Sequence, residues 1–385
     1  MSCGSLRILV TGGGTGGHLF PAIAVIQALR DLAPHCQVMF AGTTKNVETE
    51  NLKRYHVPSQ AIHCKGLKNM GLAGSLTAIF LLPWALLEAL ALILRFRPHL
   101  AFGVGGYVTG PVLLAARLCK VPVAIHEQNI VPGIANRLAS RLARRIFLSW
   151  PDTGLLFDRA KSLGTGNPVR QEIALARKGS AETPTLVVLG GSQGARGLNR
   201  MVSAAFRYAR EHALPLPHGL RVIHQTGRHD ETEVRATYEK IGIAAEVAPF
   251  FTTMATVYSQ ASLVVSRAGA TTLAELCLLR KPAILVPYPH AADNHQEKNA
   301  RMLEQKNAAV VLLEKEDPAE LARLIADLLA APGKRKAMEQ ALAGFARPDA
   351  ARTVAAALLT MLPDTVRNAF LQPQTKAHSQ EGHVQ

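Results

Sequence analysis

Aromatic residues make up only 5% of this 385-residue chain, and two of them are tryptophans. No basic stretch is interleaved with rings on which bases could stack, which argues against nucleic acid as a partner. Cysteine is equally sparse. The five (Cys3, Cys36, Cys64, Cys119, Cys277) are scattered, with no C-x-x-C pair and no metal-ligand spacing. That excludes a disulfide framework and a cysteine-bound metal, and it fits a reducing compartment. Long apolar runs are missing too. The best, "IFLLPWALLEALALIL" at 79–94, would reach roughly 24 Å as a helix, short of the ~30 Å hydrocarbon core, and it contains Pro83 and Glu88. The first residues lead directly into a strand pattern, so no cleavable signal peptide is expected. Acidic residues are the scarce charge: 28 Asp and Glu against 43 Lys and Arg give a formal net charge of +15. The excess is concentrated in residues 1–166, where 17 basic residues face 7 acidic ones. A basic first half points to an anionic partner, whether a phosphorylated substrate or an acidic lipid surface.

What is present is an alternation of short apolar runs and longer helical patterns, the signature of parallel sheets with crossover helices. "LRILVTG", "CQVMFAG", "HLAFGVG" and "VPVAIHE" read as buried strands of a first series. "TPTLVVLGG", "LRVIHQTG", "AEVAPF", "ASLVVSRAG", "KPAILVPYP" and "AAVVLL" form a second. Each series opens with a strand running into a glycine-rich turn, which suggests two Rossmann-like domains joined near "GTGNPVRQEI" at 164–173. Helices are expected at 318–330, 333–345 and 349–362, then a polar tail without periodicity after Pro363. The 79–94 segment reads as a crossover helix, part of which could remain exposed as an apolar patch flanked by Lys65, Lys68, Arg95 and Arg97. A second basic stripe, Arg137, Arg141 and Arg144, recurs at helical spacing in "NRLASRLARR" at 136–145.

The chemistry-bearing stretches sit where these strands end. "TGGGTGGH" fits G-x-G-x-x-G from Gly12 to Gly17, a turn that lets backbone approach a ligand at a helix N-terminus. A dinucleotide site also needs an acid at the end of the second strand, and Ala41, Gly42 and Thr43 stand there instead. His18, entering the helix, is an ionisable ring that a redox cofactor does not require but a reacting hydroxyl does. The second glycine turn, with Gly190, Gly191, Ser192 and Gly194, is either a phosphate cradle or a plain tight turn. Thr272-x-x-Glu275 has the form of a capping box, and Glu275 could equally accept both hydroxyls of a ribose. "AIHEQNIVPG" brings His126, Glu127, Gln128 and Asn129 to one strand end, where Asn129 could cap a helix starting near Pro132.

Seven stretches, "GGTGGHLFP", "GVGGYVTGP", "HEQN", "GNPVR", "GGSQGA", "SRAGATTLAE" and "NHQEKNA", occur in an order that resembles the MurG family. These are UDP-N-acetylglucosamine transferases acting on undecaprenyl-diphospho-muramoyl-pentapeptide, and the resemblance spans roughly residues 6–362. It implies an α/β GT-B fold, two Rossmann-like domains with parallel sheets facing across a cleft. The implied division is an acceptor- and membrane-facing domain at 1–166 and a UDP-GlcNAc-binding domain at 167–347. A helix at 348–362 would return to the first domain, and a disordered tail would occupy 363–385. The implied reaction is inverting transfer of N-acetylglucosamine to the C4 hydroxyl of the muramoyl sugar of lipid I, giving lipid II in peptidoglycan synthesis. No cofactor and no metal are implied, and the lack of an Asp-x-Asp motif agrees with a metal-free route. The implied setting is peripheral, at the cytoplasmic face of the cell membrane, with an anionic membrane surface and cell-wall synthesis proteins as candidate partners.

Carried over by position, the resemblance implies that Thr15, Gly16 and Gly17 contact the donor and that Asn129 reaches the transferred sugar. Arg170 and Ser192 would face the diphosphate, and the backbone of Phe251 would contact uracil. Ala270, Thr271, Thr272, Leu273, Ala274 and Glu275 would line the nucleotide, with Glu275 on the ribose and Gln296 near the donor sugar. His18 is the expected general base, since an unperturbed imidazole titrates near ~6.5. Glu127 would orient it or bind the acceptor, and is the rival base if burial raises its pKa. Two other readings stand beside the transferase: a UDP-GlcNAc 2-epimerase of the same fold, which would share the donor but against which "GVGGYVTGP" and "HEQN" argue, and a nucleotide-binding membrane scaffold without turnover.

Overall fold

The computed structural model of the chain describes residues 5–14, 16–43, 46–64, 72–176, 183–191 and 194–371. Thr15, Ser192, Lys65, Lys68 and the tail from 372 lie outside the described residues. The first half forms β1 (Arg7–Thr11), α1 (Gly16–Leu32), β2 (Gln37–Gly42), α2 (Asn46–Arg54), β3 (Ser59–Ala61), α3 (Leu72–Phe96), β4 (Leu100–Gly103), α4 (Thr109–Leu118), β5 (Val123–Glu127), α5 (Ile134–Ala139), β6 (Arg145–Leu148) and β7 (Ser162–Gly164). After α6 (Gln171–Ala174) come β8 (Thr185–Leu189), α7 (Arg196–Glu211), β9 (Arg221–Gln225), α8 (Glu231–Ile241), β10 (Ala244–Ala248), α9 (Met254–Gln260), β11 (Leu263–Ser266), α10 (Ala270–Leu279), β12 (Ala283–Leu285), α11 (His295–Glu304) and β13 (Val310–Val311). Four helices close the chain: α12 (Pro318–Ala330), α13 (Pro332–Ala343), α14 (Ala350–Thr360) and α15 (Asp364–Leu371).

Both sheets are parallel throughout, in the orders β3-β2-β1-β4-β5-β6-β7 and β10-β9-β8-β11-β12-β13. Their central strands have to be apolar on both sides, because helices cover both faces. Val187 of β8, for example, lies between Ile223 of β9 and Val264 of β11, and all three are buried. In each sheet the order reverses beside the first strand, β1 against β4 and β8 against β11. A crevice opens at such a reversal, outside the carboxyl ends of the strands. The glycine-rich turns after β1 and β8 both fall there.

The ten apolar runs read as strands all contain strands. Pattern reading missed β3, β6 and β7. Ser-Gln-Ala and Ser-Leu-Gly are three-residue edge strands with little apolar content, and Arg145-Ile-Phe-Leu was hidden behind the arginine stripe. That stripe is not one helix: α5 ends at Ala139, and Arg144 lies in the turn that leads into β6. The 79–94 segment belongs to the 25-residue α3, which turns Ala85, Ala89, Leu92 and Ile93 onto the sheet. Its other side is open, with Trp84 58% and Leu94 65% exposed. Glu88, polar within this run, accepts from Trp84 Nε1 at 3.0 Å and contacts His63 Nδ1 at 2.8 Å. Among the described residues no helix is long and apolar enough to cross a membrane.

The tail expectation also needs correction. Residues 364–371 form α15, because Val366 and Phe370, one helical turn apart, find apolar surface on the first unit's core. α14 reaches the same core through Val354, Ala355, Leu358 and Leu359, packing along α1. Leu358 is fully buried in this contact. Leu358→Ala should therefore destabilise the first unit by about 2–5 kcal/mol, read as an earlier urea transition of that unit. An unchanged transition would mean that the helix contributes nothing to that core.

Candidate active site

The first glycine turn and the β4–α4 turn lie against each other at the reversal of the first sheet. Gly13 holds φ at 131°, and its backbone presses on Gly106, where any Cβ would strike the Gly13 carbonyl. His18, in the first turn of α1, lays the Nε2–Cδ2 edge of its ring over Gly105, within 3.0 Å of where a Cβ would stand. The ring donates to the Gly13 carbonyl. Burial lowers its pKa to about 4; His295 across the cleft adds to the lowering, and the Gly13 bond opposes it. The imidazole is thus neutral at pH 7, with one nitrogen committed as donor and the other an acceptor.

Glu127 is 1% exposed at the end of β5. Its Oε1 accepts from Asn129 N at 2.9 Å and Asn129 Nδ2 at 3.2 Å, and its Oε2 from Gly133 N at 3.1 Å and Asn136 Nδ2 at 2.9 Å. Burial raises its pKa, and these four donors pull the other way. The carboxylate thus holds the 128–136 loop; its oxygens go to that loop and not to His18. Asn129 does not cap α5, whose cap residue is Gly133. Its Oδ1 instead accepts from Asn299 Nδ2 at 3.1 Å, while Ile130 N donates to Asn299 Oδ1 at 3.0 Å.

Across the cleft the capping-box form of Thr272 and Glu275 is not realised. α10 is capped by Gly269 with no side-chain bond, and Glu275 lies in the second turn. There it is 5% exposed, accepting from Arg170 Nη2 at 3.2 Å and from the Tyr258 hydroxyl at 2.9 Å. Arg170 stacks on Phe20 of α1 at 4.0 Å, so the groups expected on diphosphate and ribose face each other in this state. Within α10, Ala270, Thr271, Leu273 and Glu275 are buried, while Thr272 and Ala274 are half-buried. The Thr271 hydroxyl donates to the Gly17 carbonyl at 3.1 Å, which brings the two helix N-termini together beside Gly16. Phe251 N donates to Gln225 Oε1 at 3.1 Å, and Gln225 Nε2 donates to the Gly191 carbonyl at 3.0 Å. Gln296 accepts from Tyr288 N at 2.9 Å, bracing the loop before α11.

Sequence reasoning missed four polar contributors: Glu48, Tyr55, Tyr258 and Asn299. Asn299 lay inside a quoted motif, "NHQEKNA", and a fully buried asparagine is a signal only once burial is known. Glu48 supplies the acid missing at the end of β2, from α2, and turns it onto Gly14 N and Thr43 N. Tyr55 donates to Glu172 across the seam between the sheets.

Buried histidines give the fold a pH signature. His126, fully buried with Nε2 against the Gly166 carbonyl at 3.1 Å, is pushed down to about 4, and His224, also buried, to about 3. Unfolding restores both to about 6.5. Their folded pKa values lie below the unfolded ones, so the stability they contribute is complete above pH ~6.5 and is lost as pH falls toward 4. Urea titrations should show that loss, up to about 1.4 kcal/mol per pH unit for each histidine, and His126→Gln should flatten the slope. An unchanged slope would exclude His126 as a source.

The model of the glycosyltransferase family 28 N-terminal domain matches residues 8–148, and that of the family 28 C-terminal domain matches residues 185–354. A protein of Desulfotalea psychrophila named UDP-N-acetylglucosamine–N-acetylmuramyl-(pentapeptide) pyrophosphoryl-undecaprenol N-acetylglucosamine transferase is 47% identical, over 91% of this chain and 95% of its own. The crystal structure of Acinetobacter baumannii MurG superposes with a TM-score of 0.73 at 30% identity, covering 92% of this chain and 100% of that one. A UDP-GlcNAc 2-epimerase from Neisseria meningitidis, bound to UDP-GlcNAc, superposes with a TM-score of 0.64 at 13% identity, covering 92% and 100%. At that identity the likeness extends to the fold alone.

Proposed function

The chain belongs to the MurG family within glycosyltransferase family 28, and from that premise we propose how its two sheets divide the reaction. It is a hexosyltransferase that moves N-acetylglucosamine from UDP-GlcNAc to lipid I in peptidoglycan synthesis. The second sheet takes the donor and the first takes the acceptor. The observation that carries this division is the Thr271–Gly17 bond, which sets the His18 turn directly over the N-terminus of α10.

Arriving donor competes for the Arg170–Glu275 pair: ribose hydroxyls donate to Glu275, and the diphosphate takes the guanidinium. Exchanging a buried ion pair for equivalent bonds costs little, because such a pair contributes little net stability. Asn129, Asn299 and Gln296 surround the transferred sugar. The C4 hydroxyl of the muramoyl sugar gives its proton to the acceptor nitrogen of His18 as its oxygen bonds to the anomeric carbon. The anomeric carbon–oxygen bond to the diphosphate breaks on the opposite side, inverting configuration, and UDP leaves with the electron pair. The N-terminus of α7 and Arg170 stabilise that charge.

The membrane lies against α3, α4 and α5, which pack side by side. Trp84, Leu87, Leu94, Leu118, Ile134 and Leu138 are 49–65% exposed on these helices, with Arg117, Lys120, Arg137 and Arg141 exposed around them. An apolar patch rimmed by cations fits the interface of an anionic bilayer, and this reading turns the patch to the cytoplasmic face of the membrane.

His18→Ala should lower kcat by roughly 10²–10⁴-fold in transfer of labelled N-acetylglucosamine to a soluble lipid I analogue, with UDP affinity retained. Near-normal turnover of this variant would remove the base assignment. Vesicles rich in anionic lipid should bind the protein more tightly than neutral ones, and each of Arg137→Glu and Arg141→Glu should weaken that binding by about 1 kcal/mol or more at low salt. Equal binding to both vesicle types would leave the patch without its electrostatic half.

A further inference from the structure

Glu48 lies in the first turn of α2, 4% exposed, with its carboxylate inserted between the end of β2 and the first glycine turn. Oε2 accepts from Gly14 N at 3.1 Å and from the Thr43 hydroxyl at 3.1 Å, and Oε1 accepts from Thr43 N at 2.5 Å. The fit is close on both sides: a Cβ on Gly13 or on Gly42 would strike the carboxylate. Charged acceptors on backbone N–H groups make the stronger class of hydrogen bond, so this one side chain holds the Gly13–Gly14 peptide in orientation. The peptide has work to do on its other side. Its Gly13 carbonyl accepts from the His18 ring, and its backbone packs on Gly106, next to the Gly105 surface that the ring covers.

We propose that Glu48 is a positioning residue for the transfer step: its carboxylate fixes the Gly13–Gly14 peptide, and that peptide fixes the orientation and tautomer of the His18 imidazole. An internal anion therefore takes the loop's N–H, and the turn serves a catalytic side chain instead of a cofactor. For turnover, the proposal rests on the reading of His18 as general base; for ring geometry, it stands by itself.

The test combines kinetics with nitrogen-15 NMR of the imidazole in the full chain. Glu48→Gln keeps the volume but loses the charge and turns an amide N–H₂ toward backbone donors. It should cut kcat by about 10²-fold, the scale expected for ~1 Å of misplacement, with the donor KM within about twofold of wild type. In a His18→Ala background the same substitution should add less than about twofold. The His18 nitrogen shifts should report one tautomer in the wild type and a mixture in Glu48→Gln. Thr43→Val, which deletes one donor and leaves the carboxylate, should move both readouts the same way by less, and it serves if Glu48→Gln does not fold. Unchanged His18 shifts in folded Glu48→Gln or Thr43→Val overturn the proposal, and so do losses that multiply in the double variant. Altered shifts alongside normal turnover of His18→Ala overturn the base reading alone and uphold Glu48 as the group that holds the ring.

Discussion

One guanidinium ties the two halves of this molecule together. Arg170 is 5% exposed, stacked on Phe20 of the first unit, 3.5 Å from the Tyr55 hydroxyl of the same unit, and paired with Glu275 of the second. It lies in the segment by which the chain crosses from β7 to β8, immediately before α6. A buried cation of this kind tolerates no loss of its partner: an uncompensated charge costs about 3–5 kcal/mol, whereas the intact pair is close to neutral in net stability. The arrangement therefore favours a relative orientation of the sheets without adding much to stability, which is what the proposed exchange of Glu275 for a diphosphate requires.

Around that point the site is assembled from polar side chains that bond one another before any substrate arrives. Glu127 organises the 128–136 loop, Asn299 bonds that loop from across the cleft, and Glu48 braces the opposite wall. Glu127 and Glu48 are both buried and each takes three or more hydrogen bonds, as buried charge requires. The result is a preorganised cleft in which His18 is held neutral by burial. Preorganised dipoles of this kind reduce the reorganisation needed when charge develops on the leaving diphosphate.

Helices cover both faces of the first sheet. α14 and α15 close one face of its core, and α3, α4 and α5 close the other. The second group covers the sheet with alanines and a few larger side chains, and turns its tryptophan and leucines outward. Alanines such as Ala85, Ala89, Ala115 and Ala139 take part of the inner side beside Leu92, Ile93 and Leu113, while Trp84 and Leu94 stay outside, and on a basic half-chain that apolar outer face is the basis of the proposed membrane contact.

By itself, the sequence determined the two parallel sheets. Central strands such as β1 and β8 must be continuously apolar, and a glycine-rich turn must follow where the strand order reverses. Ordered motifs likewise singled out His18, Glu127, Arg170 and Glu275 as candidates, three of them at or shortly after the ends of β1, β5 and β11, strands that pattern reading can find. Tertiary structure alone decided what those side chains touch. The capping-box spacing of Thr272 and Glu275 was sound local chemistry, yet Glu275 turned to Arg170, 105 residues away, where a buried cation competes better than a backbone N–H. Edge strands β3 and β7 and helix α15 depend on surfaces supplied by distant segments, so no local period announces them. Glu48 carried no signal at all: an acid on a polar helix is ordinary until the fold brings Gly13 and Gly42 together around it.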